Sequence, residues 1–280
     1  MVRGSSTALD TVLFVVLVGI AVATLLGAAP GESDGAERVA DETADVLATS
    51  TTEVRYARWG TVQVDDGGSV TVDRRASGTY AELLAAGVVA TALPGGTTDL
   101  DDAAANASRR ALSTGDASVQ VRATWEPHPG SDLGRTLTVG ERPPRDADLS
   151  VARLTVPSGM PNASARLGSD AASFRYVAAV VAKHVVAGMF PPDRMRAAMA
   201  GEGPDRAVAA SRYRGAQDTY GARVEKPLEG GDVETANARV AEALQRDLHR
   251  ELAREFDSPG EAARAVSVDR VRIVVRAWSS

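Results

Sequence analysis

The chain has 280 residues, enough for one large domain or two modest ones with a real core. It contains no cysteine, which excludes a disulfide framework, a thiolate metal site and a cysteine nucleophile. A formal net charge of -6, without any basic run, excludes a general polyanion binder, so nucleic acid is not an expected partner.

Residues 11–29 carry no charge, and at about 1.5 Å per residue they reach roughly 28 Å, close to the thickness of a bilayer's hydrocarbon layer. They read as a transmembrane helix. Arg3 precedes this run, whereas Glu32, Asp34 and Glu37 come before the first downstream base, Arg38. That bias places the N-terminus inside and the bulk of the chain outside the cell. Gly19, Ala23 and Gly27, continued by Gly31, recur every four positions and form a narrow ridge suited to packing against a partner helix. Ahead of the run, Asp10 sits at the edge of the hydrocarbon, where a carboxylate is costly unless paired. Thr7 and Asp10 form a T-x-x-D capping box in which the acid serves its own helix N-terminus. The new α-amino group of a neighbouring subunit is the other suitable partner. The two uses are compatible, and the residues leave both open.

Pro30 and Gly31 break the apolar helix. Val39, Ala40, Ala44, Val46 and Leu47 then alternate at helical spacing with Glu37, Asp41, Glu42 and Asp45, which predicts an amphipathic stalk helix over residues 30–56, helical to about Arg55. An exported α+β domain is expected over residues 57–280. From Trp59 the period becomes two: "TVQVDDGGSVTV" sets Val62 and Val64 against Val70 and Val72 across a turn, a hairpin signal. Helices are expected over 79–93 and 100–112, the second with Asp99 as N-cap. "ASVQVRATWEP" alternates as a half-buried strand, and further strands are expected over 135–140 and 150–156, separated by a Pro-rich loop. The first half is therefore α+β with an antiparallel sheet.

From Ala171 the pattern turns helical. "FRYVAAVVAKHVVAGMF" is short for a membrane span and carries Lys183 and His184 centrally, so it reads as a core helix. Shorter helices flank Gly201 and Gly203. Residues 233–256 form the cleanest amphipathic helix, with Val240, Leu244, Leu248, Leu252 and Phe256 every four positions and charge pairs Glu242 with Arg246 and Asp247 with Arg250 on the other face. The chain closes on a strand with Val271, Ile273 and Val275 on one side and Arg270, Arg272 and Arg276 on the other; a bend is expected near Asp269 because Val266 and Val268 have the opposite parity. Residues 157–170 offer the one internal boundary, where the domain divides into two lobes if it divides at all.

No residues converge on a recognisable chemistry. His128, His184 and His249 are far apart and lack metal-ligand spacing, and neither a nucleophile elbow, a Walker loop nor a dinucleotide fingerprint is present. The expectation is a protein without catalytic residues, metal or cofactor. Asp99, Asp101 and Asp102 lack the calcium-loop pattern and suit a helix N-terminus. Arg270, Arg272 and Arg276 could grip an acidic partner or a neighbouring subunit, or form an ordinary solvated face. Asn106 and Asn162 each open an N-x-S sequon, the second in a loop, consistent with glycosylation outside the cell.

The charged leader, small residue, polar stretch, acid and apolar helix at the N-terminus resemble the signal of archaeal type IV pilin-like proteins, which a prepilin peptidase cuts ahead of the apolar segment. A cut between Ser5 and Ser6 makes Asp10 the fifth mature residue, where that family carries an acid; a cut after Gly4 suits the small-residue preference but makes Asp10 the sixth. The near-exclusive use of arginine over lysine, with abundant Asp, Ala, Val and Gly, resembles haloarchaeal proteins, and a GC-rich genome would favour some of the same residues. The resemblance covers only the N-terminal segment and the composition. It implies a non-enzymatic, single-pass membrane protein of a pilus or secretion apparatus, with membrane lipid, protein partners of the N-terminal helix and a prepilin peptidase as its contacts. The competing expectations are a permanently anchored extracellular binding module, for which Asp10 is only a cap, and a secreted hydrolase released after Ala29.

Overall fold

The structure, a computed structural model, describes residues 35–61, 69–92, 94, 98–112, 118–168 and 171–278. Gly4, Ser5, Ser6, Asp10, the Gly19, Ala23 and Gly27 ridge and the predicted membrane helix lie outside the described residues. Among the described residues no helix is long and apolar enough to cross a membrane.

Helix α1 (Gly35–Thr49) buries Ala40, Thr43, Ala44 and Leu47, a stripe at helical spacing, and leaves Asp41, Glu42, Asp45 and Val46 outside. It ends at Thr49, short of the predicted stalk. Residues from Thr51 onward belong to β1 (Thr51–Thr61), which pairs with β2 (Ser69–Thr79) over its full length, from Thr51 opposite Thr79 to Thr61 opposite Ser69. Strand pairing therefore overrides the helical reading of residues 50–55, where the β-branched Thr51 and Thr52 already disfavour a helix. The hairpin is present, but Val70 faces Gly60 and Val72 faces Arg58; Val62 and Val64 lie outside the described residues.

Helix α2 (Tyr80–Thr91) starts with a complete capping box, Thr79 with Glu82. Helix α3 (Leu100–Leu112) starts where expected, with the Asp99 carbonyl at the N-cap position accepting the Ala103 amide at 3.0 Å, but the Asp99 side chain does not serve the helix. The carboxylate instead accepts the Ala57 amide of β1 at 2.6 Å, and the Thr98 hydroxyl accepts the Leu100 amide at 3.3 Å.

A four-stranded antiparallel sheet follows, in the order β4 (Arg135–Val139), β3 (Ser118–Trp125), β6 (Arg270–Trp278), β5 (Ser150–Pro157). The last described strand, β6, thus lies inside the sheet, between β3 and β5, which precede it by more than 100 residues. Helices α1 and α2 cover one face, α1 over β5 and β6 and α2 over β3 and β4. The helical part comprises α4 (Phe174–Met189), α5 (Pro192–Ala200), α6 (Pro204–Tyr220), α7 (Glu225–Glu229), α8 (Val233–Glu255) and α9 (Pro259–Ala265). Helices α4 and α8 pack closely, and a contiguous core runs from Ala40 to Ala277. Among the described residues the fold is mixed α+β with two small antiparallel sheets.

Beyond β4 the chain turns through Gly140 at φ 89°, against the backbone of β3. A Cβ there would lie 2.1 Å from the Val119 carbonyl oxygen, so side-chain size and backbone conformation both demand glycine. Gly140→Ala is expected to lower stability by about 2–3 kcal/mol in urea unfolding; a loss below about 0.5 kcal/mol, the scale of an ordinary surface change, would show that this turn relaxes freely.

Candidate functional site

Strand alternation divides the sheet into an inner and an outer face. Strand β3 sends Val121, Ala123 and Trp125 into the core and Gln120, Arg122 and Thr124 outward. Register aligns Thr138, Arg122, Val274 and Arg153 in one row across the strands, and Gln120, Arg276 and Val151 in the next. A third row holds Thr136, Thr124, Arg272 and Thr155. No described helix lies on this face: Arg122, Thr136, Thr138, Val151 and Arg153 are exposed.

A concavity of about 500 Å³ lies at the β4 side of this face, lined by Arg122, Arg142 and Arg276 together with Gln120, Thr136 and Thr138. Gln120 is fastened by its amide to the Glu141 carbonyl at 3.0 Å and offers its own carbonyl to Arg276 at 3.4 Å. Arg272 pairs with Glu126 at 2.7 Å. Among the described residues no carboxylate pairs with Arg122, Arg142, Arg153 or Arg276. A protein of net charge -6 thus carries one face that is almost purely cationic. Guanidinium forks beside hydroxyl and amide groups are the donors that recognise carboxylate, sulfate or phosphate oxygens.

A second polar cluster is closed to solvent. The chain after β3 turns back through His128 and Ser131, both buried, onto Glu251 of α8. The Ser131 hydroxyl donates to Glu251 Oε2 at 3.0 Å and accepts the Leu133 amide at 3.3 Å. His128 Nδ1 lies 2.9 Å from the Pro129 carbonyl oxygen, and its Nε2 is 3.3 Å from Glu251 Oε2, an approach off the line of a hydrogen bond. Burial alone would raise the Glu251 pKa; the contacts with His128, Ser131 and the Asp132 amide outweigh it and hold the group below the usual glutamate value. Serine, histidine and glutamate meet here, but the hydroxyl bonds the carboxylate and not the imidazole. The nucleophile–base contact that acyl transfer requires is missing, so these residues read as a joint between the sheet and α8.

A third cluster joins α6 to the C-terminal end of α4. Arg212, 6% exposed, donates to the Met189 carbonyl, and its guanidinium carbon lies 5.2 Å from the centre of the Phe190 ring, which stacks on Tyr213. Tyr213 donates to Asn237 at 2.7 Å, and Asn237 donates to the Phe190 carbonyl at 2.9 Å. Burial, with a smaller contribution from Arg58, pushes the Arg212 pKa down to about 10.

The predicted site residues do not gather in one place. Asn106 is exposed on α3, and its side chain accepts from Arg109 at 2.5 Å. Asn162 is exposed in a loop, where its carbonyl accepts the Ser164 hydroxyl at 2.8 Å and the Ala165 amide at 3.0 Å. His184 is half-buried against the Val180 carbonyl, and His249 is exposed. Glu242 pairs with Arg239 at 3.3 Å and not with the expected Arg246, whereas Asp247 does pair with Arg250. Of the arginine row on β6, Arg276 joins the outer-face concavity and Arg272 is neutralised. Arg122 and Arg142 were not singled out by spacing; the odd-even alternation of β3 marks Arg122 as outward-facing, but only the sheet order places it beside Arg276.

These features define an α+β domain whose antiparallel sheet is backed by helices on one face and open, arginine-lined, on the other. Residues 9–278 match the family described as "Family of unknown function (DUF7284)", and the chain belongs to that family. No curated protein and no solved structure matches the chain.

Proposed function

We propose that the chain is a non-enzymatic, membrane-anchored exported protein, a pilin-like or pseudopilin-like component of a pilus or secretion apparatus. The observation that carries this reading is the seating of α1. The helix starts at Gly35, shortly after the predicted membrane segment, and is held on β5 and β6 by Ala40, Ala44 and Leu47, so the first described element after that segment is built into the core of the domain. The family match begins at residue 9 and so includes Asp10 and the apolar run. In this reading the N-terminus is inside, the α+β domain is outside the cell, and Gly19, Ala23 and Gly27 meet partner helices.

The mature N-terminus, read by mass spectrometry of membrane and culture fractions, tests the proposal. A start at Ser5 or Ser6 in the membrane fraction is expected, and Asp10→Ala should abolish most incorporation into a complex while leaving membrane insertion intact. Residues 1–10 found intact on the mature membrane protein would sink processing by prepilin peptidase, and unchanged incorporation of the variant would remove Asp10 as an assembly joint. The arginine-lined concavity favours a second reading, a permanently anchored extracellular binding module for an anionic ligand. An intact N-terminus in the membrane fraction is the result that reading requires.

A further inference from the structure

We propose that the cationic outer face of the sheet seats the acidic outer face of α1 of a second copy of this chain, head to tail. The proposal rests on the membrane-anchored assembly reading above and names the domain contact within it. Two observations meet. On one side of the domain the rows through Arg122, Arg153 and Arg276 hold guanidinium groups without carboxylate partners among the described residues. On the opposite side of the same layer α1, with its buried stripe turned to the sheet, points Asp41, Glu42 and Asp45 to solvent, with Arg38 as the base at its N-terminal end. Apolar groups match as well: Val46 is 40% exposed beside the acids of α1, and Val151 is 37% exposed beside Arg276.

Geometry and charge select this pairing over its symmetric alternatives. Two sheet faces brought together would set arginine against arginine, and two α1 faces acid against acid; both are penalised by like-charge contact. A cationic face and an acidic face on opposite sides of one domain instead make a heterologous contact, which repeats from copy to copy. The 15 residues of α1 span about 22 Å, and the 8 residues of β3 span about 26 Å, so the helix fits along the strands. Four strands are only about 14 Å across, and the area they offer is well below the roughly 800 Å² per partner of a stable soluble complex. The contact is therefore weak between free domains. It forms when both copies are held in one membrane, which raises their effective concentration.

The absence of cysteine makes the test clean, since every sulfhydryl is an introduced one. The full chain in its membrane would carry Thr138→Cys on the sheet face and Glu42→Cys on α1, and be treated with a short bis-maleimide. A ladder of dimers, trimers and higher species is expected from the double variant, with each single variant remaining monomeric. Adding Arg122→Glu with Arg276→Glu should reduce the ladder at least about tenfold, through loss of two interfacial charge contacts. Adding Asp41→Arg with Asp45→Arg to that chain should restore it, a rescue that a folding defect would not give. Dimers from Thr138→Cys alone would overturn the proposal by showing sheet against sheet. A double variant that gives no ladder, or a ladder indifferent to charge reversal, would overturn it equally. The mature N-terminus of the same samples separates the two levels: a processed leader without a ladder removes the contact alone, and a ladder with an intact leader keeps the contact and removes pilin-type processing.

Discussion

Glu251→Ala is expected to destabilise the domain by about 3 kcal/mol and to blunt its sensitivity to acid. The carboxylate accepts from the Ser131 hydroxyl and faces the fully buried His128, so truncation leaves polar groups without a partner where water cannot replace it. The sign of the pH effect follows from the depressed pKa of Glu251 in the folded state. A carboxylate that ionises more readily when folded contributes stability that is fully present above the ordinary glutamate value of about 4.3 and is lost as pH falls through the lower folded value. Urea unfolding at neutral pH should show the loss, and a series taken downward from about pH 5 should show a shallower decline for Glu251→Gln than for the parent. Equal slopes would mean that other carboxylates set the acid limb. A loss under about 1 kcal/mol for the alanine variant would mean that the turn through His128 and Ser131 repacks without the acid.

Trp125→Ala is expected to cost about 3–5 kcal/mol, the range for removing a fully buried large aromatic side chain. Two effects add at this position. The indole fills the inner face of the sheet, and its Nε1 donates at 2.9 Å to the Val268 carbonyl, which also accepts the Ser158 hydroxyl at 2.8 Å. This pair of donors holds the bend at Val268 and Asp269 from which β6 starts. Trp125→Phe, which keeps most of the apolar volume and loses the donor, should cost about 1–2 kcal/mol and raise amide hydrogen exchange around Asp269 and Arg270. If Trp125→Phe matches the parent in both measurements, the bend is set by the flanking chain and not by the indole.

The elements that were legible in the chain are those whose determinants are local. The helix bounds of α3 were read directly, and those of α2 and α8 to within a residue or two, from cap residues and helical spacing; the parity change around Val268 announced the bend. One missed element was also locally encoded: α9 opens with Ser258, Pro259 and Glu261, where the Ser258 hydroxyl accepts the Glu261 amide, a capping signal present in the residues. The end of α1 was misplaced because residues 50–55 carry too little periodicity of their own. Their state is set by a partner strand that ends at Thr79.

The candidate site belongs to the other class. Composition and order of residues suffice for the absence of thiol chemistry, the apolar run of residues 11–29, the acid at its edge, and the alternation that turns Arg122 and Arg276 to one side of their strands. They do not say that β6 enters between β3 and β5, which brings those arginines into one row system, or that Glu251 meets His128 from far along the chain. Alternation and capping are energies between residues a few positions apart and can be read from their spacing. Which strand neighbours which, and which carboxylate is left to neutralise a given guanidinium, depends on contacts between distant segments, whose loop-closure cost is repaid only by burial of the common core.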